Sequence, residues 1–81
     1  MVVGQKIKLD TIEKVKKFIG IVDKFENDID IISGRYLVDA KSIMGIFSLD
    51  LTQELIVVIR DASTKDAEML QEKLEEFRVD D

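Results

Sequence analysis

"KSIMGIFSLDL", residues 41–51, places Ser42 directly before a segment of mostly large apolar residues. Serine is a preferred N-cap residue, because its hydroxyl accepts a hydrogen bond from a free N–H group of the first helical turn. The sequence therefore predicts a short helix over residues 42–47. One short helix presents only one stripe to a sheet, so its apolar residues cannot all be buried. Those residues are Ile43, Met44, Ile46 and Phe47.

Hydrophobic periodicity predicts the elements on either side of this helix. Alternation over residues 5–9 and 27–33 indicates half-buried strands, and "SG" at 33–34 indicates a hairpin turn into "RYLVDA". Apolar residues three and four apart indicate a helix over residues 11–25, with Ile12 in its apolar stripe. "ELIVVIR", residues 54–60, reads as a further strand, and a last helix follows with its apolar stripe at Ala67, Leu70, Leu74 and Phe77.

Two helix starts have the spacing of a capping box. Asp10 with Glu13 predicts that Asp10 caps the first long helix, and Ser63 with Asp66 predicts a cap at the last one.

The resulting order is βαββαβα, within a single domain that spans residues 1–81. A tight hairpin joins two of the strands, so the sheet should be antiparallel with its helices on one face. This is an α+β, open-faced two-layer sandwich. If Ile29, Ile31, Val57 and Ile59 face the helices, then Ile32, Ile56 and Val58 point away. These three form either a contact surface, such as a homodimer interface, or ordinary scatter of apolar residues.

Composition excludes several classes of function. The chain has no Cys and no His, which removes thiolate and histidine metal sites and the commonest general base. We therefore expect no enzyme activity, no metal and no cofactor. The balance of 12 Lys and Arg against 17 Asp and Glu, with the basic residues scattered, argues against nucleic-acid binding. The longest apolar run, "LIVVI", is too short for a membrane span, so we expect an unexported, cytoplasmic protein.

The element order, with "KSIMGIFSL" entering a short helix just after the hairpin, resembles the histidine-containing phosphocarrier protein (HPr) family of the bacterial sugar phosphotransferase system. The resemblance is sharpest over residues 24–59, is weaker before Asp23, and rests on helix pattern alone after Asp61. It implies four strands and three helices. It also implies two phosphorylation sites: a histidine at the start of the first helix, which carries phosphate from enzyme I to sugar permeases, and the serine of K-S-I-M-G, which an ATP-dependent kinase modifies.

Only the serine site has a counterpart in this chain, at Ser42. An ungapped alignment puts Thr11 at the place of the histidine and Glu13 at the place of a nearby arginine. A phosphocarrier holds its phosphoryl group against the N–H groups at a helix start, and here Asp10 and Glu13 bring negative charge to that end. We therefore expect that the chain does not carry phosphate.

The resemblance assigns partner contacts to Ile43, Met44 and Phe47, on a surface that family members complete with the start of the first helix. Lys41 adds a positive neighbour to Ser42. The resulting hypothesis is a regulatory protein-binding module, switched by phosphorylation of Ser42. Its partners would be a serine kinase and a phosphotransferase-system protein or transcriptional regulator. Glu13 weakens the case for a repressor partner, because corepressors of the family have a basic residue at that place. Two alternatives stay open: a phosphocarrier that uses Thr11 or a carboxylate, and a purely structural or dimerising domain.

Overall fold

A computed structural model describes residues 3–79 of the 81-residue chain. Within this range the chain forms four strands, three α-helices and one 3₁₀ turn in the predicted order βαββαβα. The elements are β1 (Val3–Ile7), α1 (Ile12–Val22), β2 (Ile29–Ser33), β3 (Tyr36–Asp39), α2 (Ile43–Phe47), β4 (Leu55–Ile59), α3 (Thr64–Lys73) and the 3₁₀ turn Glu75–Phe77.

The four strands form one sheet in the order β1-β4-β2-β3, and every neighbouring pair is antiparallel. The three helices cover one face of this sheet, which confirms the predicted open-faced α+β sandwich. The hairpin prediction is also correct: β2 and β3 are joined by a two-residue turn whose Gly34 has φ +59°. A positive φ of this kind is accessible to glycine at little steric cost.

The core lies between the sheet and the helices. Ile29 and Ile31 of β2 and Val57 and Ile59 of β4 are each at most 1% exposed, as their alternation predicts. Residues with the opposite alternation, such as Ile56, lie outside this core cluster. Val58 also lies outside it but is only 7% exposed, so it adds little to the surface of the open face.

One prediction about α1 is wrong. Thr11, and not Asp10, is the N-cap residue: its side-chain oxygen accepts from the Lys14 N–H at 3.1 Å, while Asp10 binds the Lys14 ammonium at 2.8 Å. Ile12 belongs to the periodic apolar stripe but is 59% exposed.

Helix and strand ends differ slightly from the pattern. Helix α1 ends at Val22 and not at Phe25, because the N–H groups of Lys24 and Phe25 bond to carbonyls only three residues back. In α3 the Ser63 cap is confirmed, with its hydroxyl 3.1 Å from the Asp66 nitrogen. That helix ends at Lys73, and the 3₁₀ turn after it brings Phe77 into the core.

Candidate docking and modification site

Ser42 ends the loop after β3 and caps α2, as the sequence predicts. Its backbone is extended (φ −101°, ψ 107°), and its hydroxyl oxygen accepts from the Gly45 N–H at 3.1 Å. Its backbone carbonyl accepts from the Ile46 N–H at 3.0 Å, and its own N–H donates to the Asp39 carbonyl at 3.1 Å. The side chain is half-buried. Two backbone hydrogen bonds therefore fix the position of Ser42, and the third orients its hydroxyl.

Gly45 makes room for this cap, a role that the sequence reading missed. A Cβ at residue 45 would lie 3.3 Å from the Ser42 hydroxyl oxygen and 3.5 Å from the Val38 Cβ. The contact with the Ser42 oxygen would be slightly tight, whereas that with Val38 would be an ordinary van der Waals contact, so the absent side chain leaves room for the cap hydroxyl. The only signal in the sequence is the S-x-x-G spacing.

Lys41 does not place its charge as expected. Its ammonium donates to the carbonyl of Phe25, just after α1, and its backbone N–H donates to the Asp39 carboxylate at 2.9 Å. The ammonium of Lys41 is thus engaged at the end of α1 rather than directed at Ser42.

Three apolar residues of α2 are exposed together. Met44 is 78% exposed, Phe47 44% and Ile43 43%, whereas Ile46 is fully buried in the core. We call Ile43, Met44 and Phe47 the helix-two patch. The expectation that only one side of this helix can be buried is confirmed, and the three exposed residues are those that the family resemblance named.

The side chains of Thr11, Asp10 and Lys14 at the start of α1 are engaged with one another. Thr11 uses its hydroxyl as the helix cap, and Glu13 is exposed in the first turn. The Lys14 ammonium is paired with Asp10, and this hydrogen bond lowers the pKa of the Asp10 carboxyl below its ordinary value. The Asp10 carboxyl is therefore ionised at neutral pH, and its charge is balanced by the Lys14 ammonium.

Residues 3–79 contain neither a metal-binding cluster nor a membrane-spanning helix. No cluster of three or more His, Cys, Asp or Glu side chains in this range could hold a metal ion. Helices in the same range are all too short or too polar to cross a membrane.

A family model described as the PTS HPr component phosphorylation site matches residues 13–78. The match begins after Thr11, so the alignment of Thr11 with the family's histidine is outside it. Comparison with curated protein sequences yields no match.

Two solved structures are similar to this chain over nearly its whole length. HPr-C-His from Thermoanaerobacter tengcongensis is 26% identical, with a TM-score of 0.69, over 95% of this chain and 90% of that one. The phosphocarrier protein HPr from Bacillus anthracis str. Ames is 21% identical, with a TM-score of 0.71, over 95% and 98% of the two chains. The second likeness is one of fold alone.

Proposed function

This chain belongs to the HPr family of the phosphotransferase system, and from that premise we propose that it is a regulatory module and not a phosphocarrier. It binds a protein partner through the helix-two patch, and phosphorylation of Ser42 changes that binding. The observation that carries the proposal is the exposure of the helix-two patch within five residues after Ser42, in a chain that has no histidine.

Three features support the absence of phosphate carriage. The 81 residues include no histidine, so the family's usual acceptor is missing. Thr11, which the ungapped alignment puts at that place, has an aliphatic hydroxyl, which is a weak nucleophile without an adjacent base. The Lys14 ammonium is already paired with Asp10, and the Glu13 carboxylate in the first turn would repel a phosphoryl group that approached the helix start.

Phosphorylation of Ser42 fits the local structure. A phosphate adds about −1.5 to −2 charges and three acceptor oxygens, and an N-cap position tolerates both. Ile43 and Met44 follow Ser42 directly, so the added charge would lie at the edge of the helix-two patch. A partner with an acidic surface there would bind less tightly after modification, and one with an arginine or lysine there would bind more tightly.

The docking step is tested by a paired substitution. The wild type, Met44→Asp and Met69→Asp are immobilised, and the proteins that each retains from a cell extract are compared by mass spectrometry. Met69 is 41% exposed on α3 and is a matched control for adding a charge at an exposed methionine. We expect a partner that wild type and Met69→Asp retain and Met44→Asp loses. Equal retention by all three would contradict the role of the patch.

The switch is tested separately with ATP and the family's serine kinase. Mass spectrometry should locate one phosphate on Ser42 in wild type and in Ser48→Ala, and none in Ser42→Ala. Ser48 is the control because it is an exposed serine at the other end of the same helix. An unmodified Ser42 would eliminate the switch but not the docking.

The alternative of a phosphocarrier with a different acceptor predicts a different result. Enzyme I and phosphoenolpyruvate would then label the protein on Thr11 or on a carboxylate. We expect no label, and a label at either place would overturn the proposal.

A further inference from the structure

One edge of the sheet is covered by the chain itself, and the other is not. Beyond β1, an antiparallel bridge joins Ile7 to Arg78, and the Lys8 N–H donates to the Phe77 carbonyl at 2.9 Å. Strand β3 is the opposite edge of the sheet, and within residues 3–79 no strand pairs with its outer side. An edge of this kind exposes backbone donors and acceptors that can pair with another chain.

The hairpin register determines which backbone groups of β3 face outward. The Ala40 N–H donates to the Ile29 carbonyl at 2.9 Å, and along an antiparallel ladder bonded residues alternate with non-bonded ones. Counted back from Ala40, Leu37 and Asp39 therefore direct their N–H and C=O groups away from β2. The Asp39 carbonyl already accepts from the Ser42 N–H at 3.1 Å. The groups left for another strand are both those of Leu37 and the N–H of Asp39.

Opposite charges lie symmetrically about Leu37. Arg35 is two residues before it, and Asp39 is two residues after it. Both side chains are exposed. Within residues 3–79 the Arg35 guanidinium has no ion-pair partner, and the Asp39 carboxylate accepts only from the Lys41 backbone N–H, at 2.9 Å. Both charges are thus available to a partner at this edge.

This arrangement is complementary to itself. If two copies of β3 lie antiparallel with Leu37 opposite Leu37, the two leucines exchange both backbone hydrogen bonds. Arg35 of each copy is then directly opposite Asp39 of the other. Residues opposite each other on neighbouring strands have Cβ atoms about 4.5–5.5 Å apart, which allows an ion pair. We propose that β3 is a self-pairing edge, through which two copies of this chain join their four-stranded sheets into one continuous sheet.

The side chains favour this register over its neighbours. Tyr36 of each copy is opposite Val38 of the other, and a pair of an aromatic and a β-branched residue stabilises neighbouring strands. Tyr36 is 65% exposed, so its ring is accessible. A shift of two residues in either direction would place Arg35 opposite Leu37 or Lys41, and Asp39 would then have no cation opposite it.

Backbone hydrogen bonds and the two ion pairs hold this dimer, rather than a large apolar area, as when a peptide adds a strand to a sheet edge. Strand β3 has only 4 residues, so the dimer should be weak and should dissociate on dilution. Each copy has a net charge of −5, but about 0.15 M salt screens charges that are more than about 8 Å apart. The inference rests on the register of β3 and is independent of the proposed function.

Sedimentation velocity on the full chain tests the pairing, in about 0.15 M salt and from about 10 μM to about 1 mM protein. Wild type should move from the monomer mass of 9.3 kDa towards twice that mass. Arg35→Glu puts a carboxylate opposite Asp39, and Asp39→Lys puts an ammonium opposite Arg35. Each variant alone should therefore stay near the monomer mass.

An equal mixture of the two variants separates the register from misfolding. In a mixed pair the new carboxylate of one copy faces the new ammonium of the other, and the unchanged Asp39 faces the unchanged Arg35. The mixture should therefore associate like wild type, which two misfolded variants would not do. Lys65→Glu is the control, because it is the same charge reversal at an exposed residue of α3. It should also associate like wild type.

The Leu37 amide gives a local test that needs only the wild type. Its hydrogen exchange, followed by NMR, should slow as the protein concentration rises, because pairing occupies an N–H group that faces outward in the monomer. A wild type that stays monomeric at the highest concentration would overturn the proposal, as would unchanged exchange at Leu37. Association of either variant alone, a mixture of folded variants that stays monomeric, or loss of association in Lys65→Glu would also contradict it.

Discussion

At the scale of single residues, Ser42 has two roles that do not conflict. Its hydroxyl oxygen is an acceptor for the Gly45 N–H, so the structural role uses a lone pair and not the hydroxyl proton. A phosphoserine replaces that proton and keeps acceptor oxygens near the same N–H group. A cap of this kind can therefore be modified without loss of the helix that presents the patch.

Substitutions at Ser42 should separate the cap from the charge. Ser42→Ala removes the acceptor and should lower the free energy of unfolding by about 1 kcal/mol, whereas Ser42→Asp keeps an acceptor and should stay near wild type. Ser48→Ala removes only an exposed hydroxyl that donates to the Gly45 carbonyl of the same helix, so it should lower the free energy of unfolding less than Ser42→Ala does. Urea denaturation measures all three. Equal stability of Ser42→Ala and wild type would mean that the cap contributes nothing.

The ion pair between Asp10 and Lys14 at the start of α1 should be detectable as a lowered pKa of Asp10. The hydrogen bond from Lys14 holds the pKa of Asp10 below its ordinary value of 3.8. The stabilisation is therefore complete above the pKa of the unfolded chain and is lost as pH falls through the lower, folded pKa. NMR titration of the Asp10 carboxyl should show the low pKa in wild type. Lys14→Met should raise it, and Lys16→Met should leave it unchanged.

At the scale of elements, the sequence predicts each helix and strand but not every boundary or exposed side chain. Thr11 and Asp10 are both good N-cap residues, and the choice between them depends on the side chain of Lys14, which the D-x-x-E spacing ignores. The same limit applies to Ile12, since periodicity assigns a residue to a stripe but not to the part of it that the sheet covers. The fact that a short helix presents only one stripe to the sheet predicted that some apolar residues of α2 are exposed. The identity of Ile43, Met44 and Phe47 came from the family resemblance.

Two glycines should respond in opposite directions to the same substitution. Gly34 has φ +59° in the β2–β3 turn, and an added Cβ has no neighbour within 4 Å, so any cost of Gly34→Ala is conformational. We expect it to lower the free energy of unfolding by about 1 kcal/mol. Gly20→Ala in α1, where an added Cβ also has no neighbour within 4 Å, should raise that free energy by up to about 1 kcal/mol.

Urea denaturation of the two alanine variants in the same buffer measures this difference. A Gly34→Ala variant as stable as wild type would mean that the turn is not held in the left-handed region in solution, and a destabilised Gly20→Ala would contradict the prediction for α1.

At the scale of the whole molecule, the sheet separates two apolar surfaces. The helix-two patch lies on the helix layer, and Ile32, Leu37 and Ile56 lie on the side of the sheet that no helix covers. The sequence analysis detected the first surface through its motif. It found only part of the second, because Leu37 lies in a strand that was read simply as the second half of a hairpin.

The C-terminal segment is the part of the chain where the family resemblance rested on helix pattern alone, yet it is integral to the core. Phe77 is 2% exposed, and its ring packs edge-on against Phe18, with centroids 6.3 Å apart and planes at 78°. Its carbonyl also accepts from the Lys8 N–H at 2.9 Å, which ties the segment to the end of β1. The last turn therefore stabilises both the core and one sheet edge.

Removing this ring should nearly unfold the protein. Phe77→Ala should lower the free energy of unfolding by about 3 kcal/mol or more, because it opens a cavity in the core. A chain of this size has a total stability on the order of 5 kcal/mol, so most of the margin would be lost. Phe47→Ala is the control, since Phe47 is 44% exposed on α2 and its loss opens no buried cavity. Thermal unfolding followed by circular dichroism should show a much lower midpoint for Phe77→Ala than for Phe47→Ala. Equal midpoints would mean that the C-terminal turn unfolds separately from the sheet and contributes little to the cooperative core.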